Sequence, residues 1–184
     1  VRDVALEVAT LLVQRFHYMA GASNTATYMH GLFRWGLDFF DGSCIGVAWW
    51  IPPTKSAALA TFPQNWQGVL SLSRFVLVEG LPTNAASYLL GRSMRLIDRQ
   101  RWPCLVTYAD PAEGHKGTIY KATNWHYVGD TAPEATFVLN GRMVARKAGP
   151  HTRTRAEMEA LGARYIGKRS KHKFVQTEIF QKIK

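Results

Sequence analysis

The residues best able to carry chemistry are concentrated between positions 106 and 129. A β-branched run, 106–109, ends on Asp110 before a proline, and Tyr120 follows on a predicted short helix over 115–123. A carboxylate just beyond a strand end stands where open α/β sheets present ligand-facing side chains. Asp110 is therefore a candidate general base, and Tyr120 a candidate acid or orienting group. A turn Asp before Pro and a core aromatic residue are the structural alternatives.

A second candidate site is the start of the helix that follows the strand predicted over 72–78. Asn84-Ala85-Ala86-Ser87 would present backbone N–H groups and small side chains to an anion, which the helix dipole also favours. Ser87 adds a hydroxyl group and is also a catalytic candidate, while Arg74 or Arg92 can pair with a phosphate. An ordinary capped helix is the alternative.

A third candidate is His17-Tyr18, after the first predicted helix. Together with Asp110 these residues offer nitrogen and oxygen ligands that suit a transition metal such as iron. A lone loop histidine more often has a structural role. The sequence has no paired-cysteine, His-Glu-x-x-His, Walker or Gly-rich dinucleotide motif.

The net charge of +10 is concentrated in the last quarter of the chain. Residues 1–141 contain 11 basic and 10 acidic residues, whereas residues 142–184 contain 12 basic and 3 acidic residues. Such a basic region attracts polyanions by neutralising phosphates. A solvated basic tail is the alternative, but interleaved aromatic residues favour a folded segment. The candidate residues for binding such a polyanion are Arg153, Arg155, Lys168, Arg169, Lys171 and Lys173.

Hydrophobic periodicity and turn residues predict the elements that must position these groups. Helices are expected over 3–16, from Thr83 or Asn84 to about 101, over 115–123, and over 155–162 with Thr152 or Thr154 as cap. Strands are expected over 28–35, 43–50, 72–78, 104–109, 125–129, 135–139, 142–146 and 173–180, with loops at 17–27 and 54–70, the latter with a short helix near Trp66.

Two local features of this pattern are specific. In the long helix, Leu89, Leu96 and Ile97 should form the buried stripe, with Arg92, Arg95 and Arg99 on another face. Asn140-Gly141 between two short apolar runs predicts a two-residue hairpin.

Composition and element order predict one α/β (α+β mixed) domain over 1–184, with a central mixed sheet flanked by helices and a basic region at 142–184. No apolar run is long enough for a membrane span and no secretory signal pattern is present, so a cytoplasmic protein without a membrane partner is expected. Cys44 and Cys104 are expected to be buried free thiols.

Together these motifs resemble a known family. The element order is similar to the GNAT acyltransferase fold, and the strings that carry the closer resemblance, to phage Mom proteins, are His17-Tyr18, Asn84 with Ser87, Tyr108-Ala109-Asp110-Pro111, Gly114-His115-Lys116-Gly117, Ile119-Tyr120, Asn124-Trp125, Tyr127-Val128-Gly129 and Lys171-His172-Lys173-Phe174. The resemblance covers about residues 15–176. It departs from most GNAT enzymes at 81–87, where their Gly-rich turn is replaced by Leu81-Pro82-Thr83-Asn84-Ala85-Ala86-Ser87.

The resemblance implies an enzyme that converts adenine in double-stranded DNA to N6-(carbamoylmethyl)adenine and so protects phage DNA from host restriction. It also implies an iron requirement, with His17, Tyr18 and Asp110 carried over as ligands, and a small-molecule group donor, acetyl-CoA or a related compound. Tyr18, Ser87 and Tyr120 join Asp110 as catalytic candidates, and Arg74, Asn84, Ser87 and Arg92 as cofactor-binding candidates. A homodimer is left open.

The implied product sets a chemical constraint. Its new bond joins adenine N6 to a methylene carbon, whereas acetyl transfer would join it to a carbonyl carbon, so oxyanion stabilisation alone cannot make it. The target amine is hidden in the duplex, so the base must be flipped and stacked on aromatic residues. Trp35, Trp49, Trp50 and Trp66 are stacking candidates, with core packing as the alternative. An ordinary GNAT acetyltransferase acting on a small amine or a protein, and a DNA-binding protein without catalysis, are the competing functions.

Overall fold

The computed structural model describes residues 1–17, 25–34, 44–148 and 151–177. The predicted metal ligand Tyr18 and the stacking candidate Trp35 lie outside these ranges. Within them, no helix has the length and apolar character needed to cross a membrane.

Helices and strands alternate along the chain. In order they are β1 (Arg2–Asp3), α1 (Leu6–Phe16), β2 (Tyr28–Phe33), β3 (Cys44–Ile51), α2 (Lys55–Leu59), β4 (Val69–Leu77), α3 (Ala85–Leu96), β5 (Cys104–Ala109), α4 (Thr118–Ala122), β6 (His126–Asp130), β7 (Glu134–Leu139), β8 (Arg142–Val144), β9 (Lys147–Ala148), β10 (His151–Thr152), α5 (Arg155–Ala160), β11 (Arg164–Arg169) and β12 (His172–Thr177). Short 3-10 turns cover Pro63–Gly68 and Pro111–Glu113.

Seven of these strands form the central sheet, in the order β1-β2-β3-β4-β5-β12-β6. Its neighbours are antiparallel except for β4 and β5, which run parallel. Helices α3 and α4 cover one face through a core that includes Leu89, Leu105 and Tyr120. Helices α1 and α2 pack through Val13 and Ala58 in two further clusters. The predicted mixed α/β fold with a central sheet flanked by helices is therefore confirmed.

The only parallel pair among the described strands separates after three residues. Its pairing runs from Val69–Cys104 to Ser71–Val106 and stops there. At the same point β3 and β4 change register, since Trp49 pairs with Arg74 but Trp50 with Leu72. The extra residue, Ser73, forms a β-bulge, which bends a strand and increases its twist. The bulge and the end of pairing together open the sheet between β4 and β5.

The described residues between β6 and β12, 131–148 and 151–171, form a separate layer, here called the insertion. It contains the three-stranded sheet β11-β7-β8, the short β9–β10 pair and α5, around buried Phe137, Met158 and Ala163. The predicted hairpin is confirmed, because Asn140 and Gly141 both have positive φ, 51° and 77°. Helix α5 begins with the capping box of Thr154 and Glu157.

The long predicted helix is shorter than expected. It ends at Leu96, and Ile97 already has extended backbone (φ −80°, ψ 132°), so the chain leaves the helix well before Pro103. The predicted buried stripe is right for Leu89 and Ile97 but wrong for Leu96, which is 49% exposed. Arg99 lies beyond the helix end, so the three predicted arginines do not share one helical face.

Candidate active site

A cleft of about 280 Å³ lies where β4 and β5 separate. Its walls include His17 at the end of α1, Ser73 at the bulge, Thr107 and Tyr108 on β5, and Lys116 with Tyr120. This size is close to the lower end of small-molecule pockets, about 300 Å³. The cleft therefore joins three segments that are far apart in sequence: the end of α1, the β4–β5 opening and α4.

Tyr120 is fixed in this cleft by packing and by one hydrogen bond. Its ring contacts Phe174 and Trp125, with centroids 5.2 and 5.8 Å away, and its side chain is hydrogen-bonded to Thr107. Burial raises the pKa of the phenol, although the bond to Thr107 opposes this. The phenol therefore stays protonated at neutral pH, as an acid or hydrogen-bond donor requires.

Gly117 is what allows the Tyr120 helix to start so close to the sheet. Its φ is +70°, and a Cβ there would lie 2.2 Å from Cζ of Phe174. A larger residue would therefore clash with the ring that supports Tyr120, in addition to adopting an unfavourable backbone conformation. The Gly117-Thr118 start of α4 is part of the site for this steric reason.

Asp110 follows β5 directly and is 1% exposed. Its Oδ1 accepts a hydrogen bond from the Ala112 amide at 3.0 Å, and its carbonyl accepts from Glu113 and His115, both at 3.1 Å. The turn interpretation is therefore realised. The catalytic interpretation stays a prediction. In the sequence, Asp110 lies between Tyr108 and His115, which both line the cleft.

The predicted iron site is not supported by the described part of the chain. Among those residues no three His, Cys, Asp or Glu side chains form a metal-binding group. His17 lines the cleft, and Asp110 is buried and close in sequence to residues that line it. The third predicted ligand, Tyr18, lies outside the described residues. His17 and Asp110 are only two donors, and Asp110 already caps a turn, so together they do not make an iron site.

A larger groove, about 590 Å³, runs beside α3. Asn84 and Ser87, two of the predicted cofactor residues, lie along it, together with Arg95, Arg99 and Asn124. Arg99 Nη2 donates to Gln176 Oε1 at 2.6 Å, which holds its guanidinium at the groove wall. The groove therefore combines a helix N-terminus with two cations, a combination suited to phosphate groups.

Arg74 and Arg92, the other predicted cofactor residues, are not among the residues that line the groove. The Arg92 guanidinium is 5.6 Å from the Tyr88 ring centre, and Arg74 Nη1 donates to the Ser73 carbonyl at 2.8 Å on β4. Ser87 Oγ donates to the Asn84 carbonyl at 3.0 Å in the groove, so the structure does not place it with Tyr120 among the cleft residues.

Three of the six predicted DNA-binding cations are engaged within the protein. Arg155 pairs with Glu159 at 2.7 Å, Arg169 with Glu113 at 2.7 Å, and Lys173 Nζ donates to the Ala60 carbonyl at 3.2 Å. Burial lowers the pKa of Lys173. The other three are Arg153, Lys168 and Lys171; Lys168 is exposed and the other two are partly exposed. The predicted set therefore divides into two groups of different environment.

Sequence reasoning missed several residues of these sites. Ser73 and Thr107 line the cleft, and Asn124 lines the groove, although none of these three was predicted to bind a ligand. Thr107 had a readable signal, since it is the polar member of the β-branched run before Asp110. Trp49 and Trp50 are fully buried, which fits their core alternative rather than base stacking.

Comparison with known proteins gives one match over nearly the whole chain. The family model described as the Mom protein family matches residues 1–181. Among the curated proteins no sequence matches significantly.

Two solved structures are similar in fold at low sequence identity. An N-acetyltransferase from Staphylococcus aureus Mu50 is 14% identical, with 76% of this chain and 64% of that one covered and a TM-score of 0.43. A ribosomal-protein-alanine N-acetyltransferase from Brucella melitensis is 9% identical, with 82% and 68% covered and a TM-score of 0.47. The matched region thus spans less than two thirds of the staphylococcal chain.

Proposed function

Because this chain belongs to the Mom protein family, a family of phage DNA modification, we propose that it is a transferase that modifies the N6 amine of adenine in double-stranded DNA. The product we propose is N6-(carbamoylmethyl)adenine, and the expected benefit is protection from host restriction. The observation that carries the proposal is the cleft at the β4–β5 opening, with the protonated Tyr120 phenol in its wall and the basic insertion joined to the same sheet.

Two recesses suit two reactants. The groove beside α3 offers phosphate-binding geometry for acetyl-CoA or a related donor, through the α3 N-terminus, Arg95 and Arg99. The cleft at the start of the Tyr120 helix, α4, is smaller and receives the target amine. The donor has to present a methylene carbon that bears a leaving group, because attack at the thioester carbonyl would give an ordinary amide. The bond from that carbon to the leaving group breaks as the bond to N6 forms, and the carboxamide nitrogen comes with the donor or from a second nitrogen source. We assign Tyr120 the role of donating a hydrogen bond to an oxygen of the reacting group, which its raised phenol pKa supports.

We assign Asp110 one of two alternative roles, general base or metal ligand, because one carboxylate cannot serve as both at once. As a general base it would take a proton from the amine, whose lone pair is delocalised into the ring and makes adenine a poor nucleophile. As an iron ligand, the role that the family resemblance implies, it would lose that freedom. Either role needs the negative charge of this buried carboxylate.

Access to adenine N6 requires base flipping, because the amine is hidden in the duplex. Contacts with the DNA backbone are assigned to Arg153, Lys168 and Lys171 of the insertion, whose residues 131–171 contain nine Lys/Arg and three Asp/Glu. A partner that is a polyanion explains why the excess charge is concentrated there rather than spread over the surface.

An ordinary acetyl-CoA-dependent N-acetyltransferase is the second candidate, and the groove beside α3 is the observation that favours it. Both functions use that groove, whereas only the modification of adenine in DNA needs a surface that binds a polyanion. The product therefore decides between them.

The deciding experiment is expression of the full chain in bacteria with iron available, digestion of total DNA to nucleosides, and mass spectrometry. A deoxyadenosine heavier by a carbamoylmethyl group supports the proposal. Acetylated deoxyadenosine would favour ordinary acetyl transfer to DNA. Unmodified DNA from cells with folded protein would rule out the proposed function.

Tyr120→Phe is expected to lower modified deoxyadenosine about tenfold, since it deletes one hydrogen-bond donor in a buried site. The ring and its contacts with Phe174 and Trp125 remain, so the fold should be retained. Tyr127→Phe is the matched control, because it deletes a hydroxyl that donates to Asp130 on the exposed edge strand β6. Equal loss in both variants would contradict a role of Tyr120 in the reaction.

A further inference from the structure

The insertion is attached to the central sheet along one edge. At its neck, the Thr131 amide donates to the Lys171 carbonyl at 2.9 Å, and Asp130 pairs with His172 at 2.6 Å. Both chain segments that connect it to the sheet pass through this neck. The placement of the insertion relative to the cleft therefore depends on contacts made away from the neck.

Two arginines of the insertion make such contacts. Arg142 Nη1 donates to the Gln14 carbonyl at 2.9 Å, in the last turn of α1, three residues before His17. Arg169 Nη1 lies 2.7 Å from Glu113 Oε1, in the turn that Asp110 caps. The insertion thus contacts both segments that carry the candidate catalytic and metal-binding residues.

The Arg169–Glu113 contact is the stronger of the two. The two side chains are 24% and 29% exposed, so the pair is largely shielded from solvent, and Arg169 Nη1 also contacts Met143 Sδ at 3.3 Å. Shielding strengthens the attraction between the charges relative to an exposed pair. The Glu113 carboxylate already neutralises this guanidinium, so Arg169 is poorly suited to counterion release from DNA.

We propose that the Glu113–Arg169 ion pair is a docking contact that fixes the basic insertion against the Asp110 turn, with Glu113 acting as a positioning residue for DNA modification. Arg169 then serves the reaction through Glu113 rather than through a phosphate. The positioning role rests on the proposed function, whereas the docking role does not.

The test compares Glu113→Gln, Arg169→Gln and the double variant. Glu159→Gln is the matched control, because it removes a carboxylate from an exposed pair inside the insertion, with Arg155 at 2.7 Å. We expect kcat for adenine modification to fall by about five- to tenfold to the same extent in all three variants, because partners in one contact are not additive. KM for DNA and the salt dependence of DNA binding should change little, and the control should resemble the wild type.

A phosphate-binding role for Arg169 gives a different pattern. Arg169→Gln would then reduce the slope of log K against log salt by about 1 while Glu113→Gln stayed normal. That result, or additive losses in the double variant, would overturn the proposal. The charge swap Glu113→Arg with Arg169→Glu should recover part of the lost kcat, since it restores an ion pair of opposite polarity.

Amide hydrogen exchange of the full chain without DNA tests the docking contact separately from the positioning role in DNA modification. Exchange over residues 111–115 should increase equally in the three variants and not in Glu159→Gln, because the released turn opens more often. If this occurs in a protein that fails to modify adenine, docking is supported and the proposed function alone fails. Unchanged exchange would overturn the docking contact itself.

Discussion

Asp110→Asn is expected to lower adenine modification by at least about a hundredfold while the protein stays folded. Asparagine has nearly the same shape, and its amide oxygen can still accept the Ala112 amide hydrogen bond that the carboxylate accepts at 3.0 Å. The turn is therefore preserved and only the negative charge is lost. Both proposed roles of Asp110 need that charge. Modified deoxyadenosine measured by mass spectrometry, with thermal unfolding beside it, checks the result.

Asp130→Asn is the matched control for this charge removal. Asp130 also accepts side-chain hydrogen bonds, from His172 at 2.6 Å and from Tyr127 at 2.8 Å, and these lower the pKa of its carboxyl group. It lies on the edge strand β6 and is not among the residues that line the cleft. Activity near the wild-type level is expected in this variant. The same level in Asp110→Asn would exclude both the base and the metal role of Asp110.

Iron content separates those two roles without relying on activity. If Asp110 is a ligand, purified Asp110→Asn protein should retain much less iron per chain than the wild type after equal loading. If it is a general base, iron content should be unchanged while the modification is lost. The described residues hold no three-residue His, Cys, Asp or Glu group, so this measurement also tests the resemblance from which the iron expectation came.

The local part of this fold is readable from sequence, because its signals are short-range. The strand Cys104–Ala109 is bounded by Pro103 and Asp110, and the Asn140-Gly141 hairpin follows from two residues that tolerate positive φ. These are interactions within a few residues, where periodicity and turn chemistry decide the backbone conformation. Asp110 and Tyr120 were found by the same kind of signal.

The parts that could not be read depend on long-range packing. The end of α3 at Leu96 is set by Ile97, whose side chain is 4% exposed in the core, although the helical pattern continues towards Pro103. Arg99, beyond the helix end, donates a hydrogen bond to Gln176, 77 positions away in the sequence. Arg169 likewise donates to Glu113, 56 positions away. Net charge identifies a basic region in the sequence but does not say which of its cations are already engaged.

Lys168 and Lys171 are expected to account for much of the salt dependence of DNA binding. Lys168→Gln with Lys171→Gln should reduce the slope of log K against log salt for DNA binding by about 1.8, since each neutralised phosphate contributes about 0.9. At 50 mM salt, loss of two such contacts corresponds to a fall in affinity on the order of a hundredfold. Lys168 is exposed and Lys171 is partly exposed beside the neck of the insertion. Fluorescence anisotropy with a short duplex at several salt concentrations measures both quantities.

Arg169→Gln with Lys173→Gln is the matched comparison, because it removes the same charge from the same stretch of chain. Arg169 is held by Glu113, and the Lys173 ammonium donates to the Ala60 carbonyl at the end of α2, so both groups already have partners inside the protein. Their loss should leave the salt slope little changed. Equal slopes for the two double variants would show that the fall depends on net charge alone. A larger fall for the Arg169 and Lys173 pair would show that phosphates displace these internal partners when DNA binds.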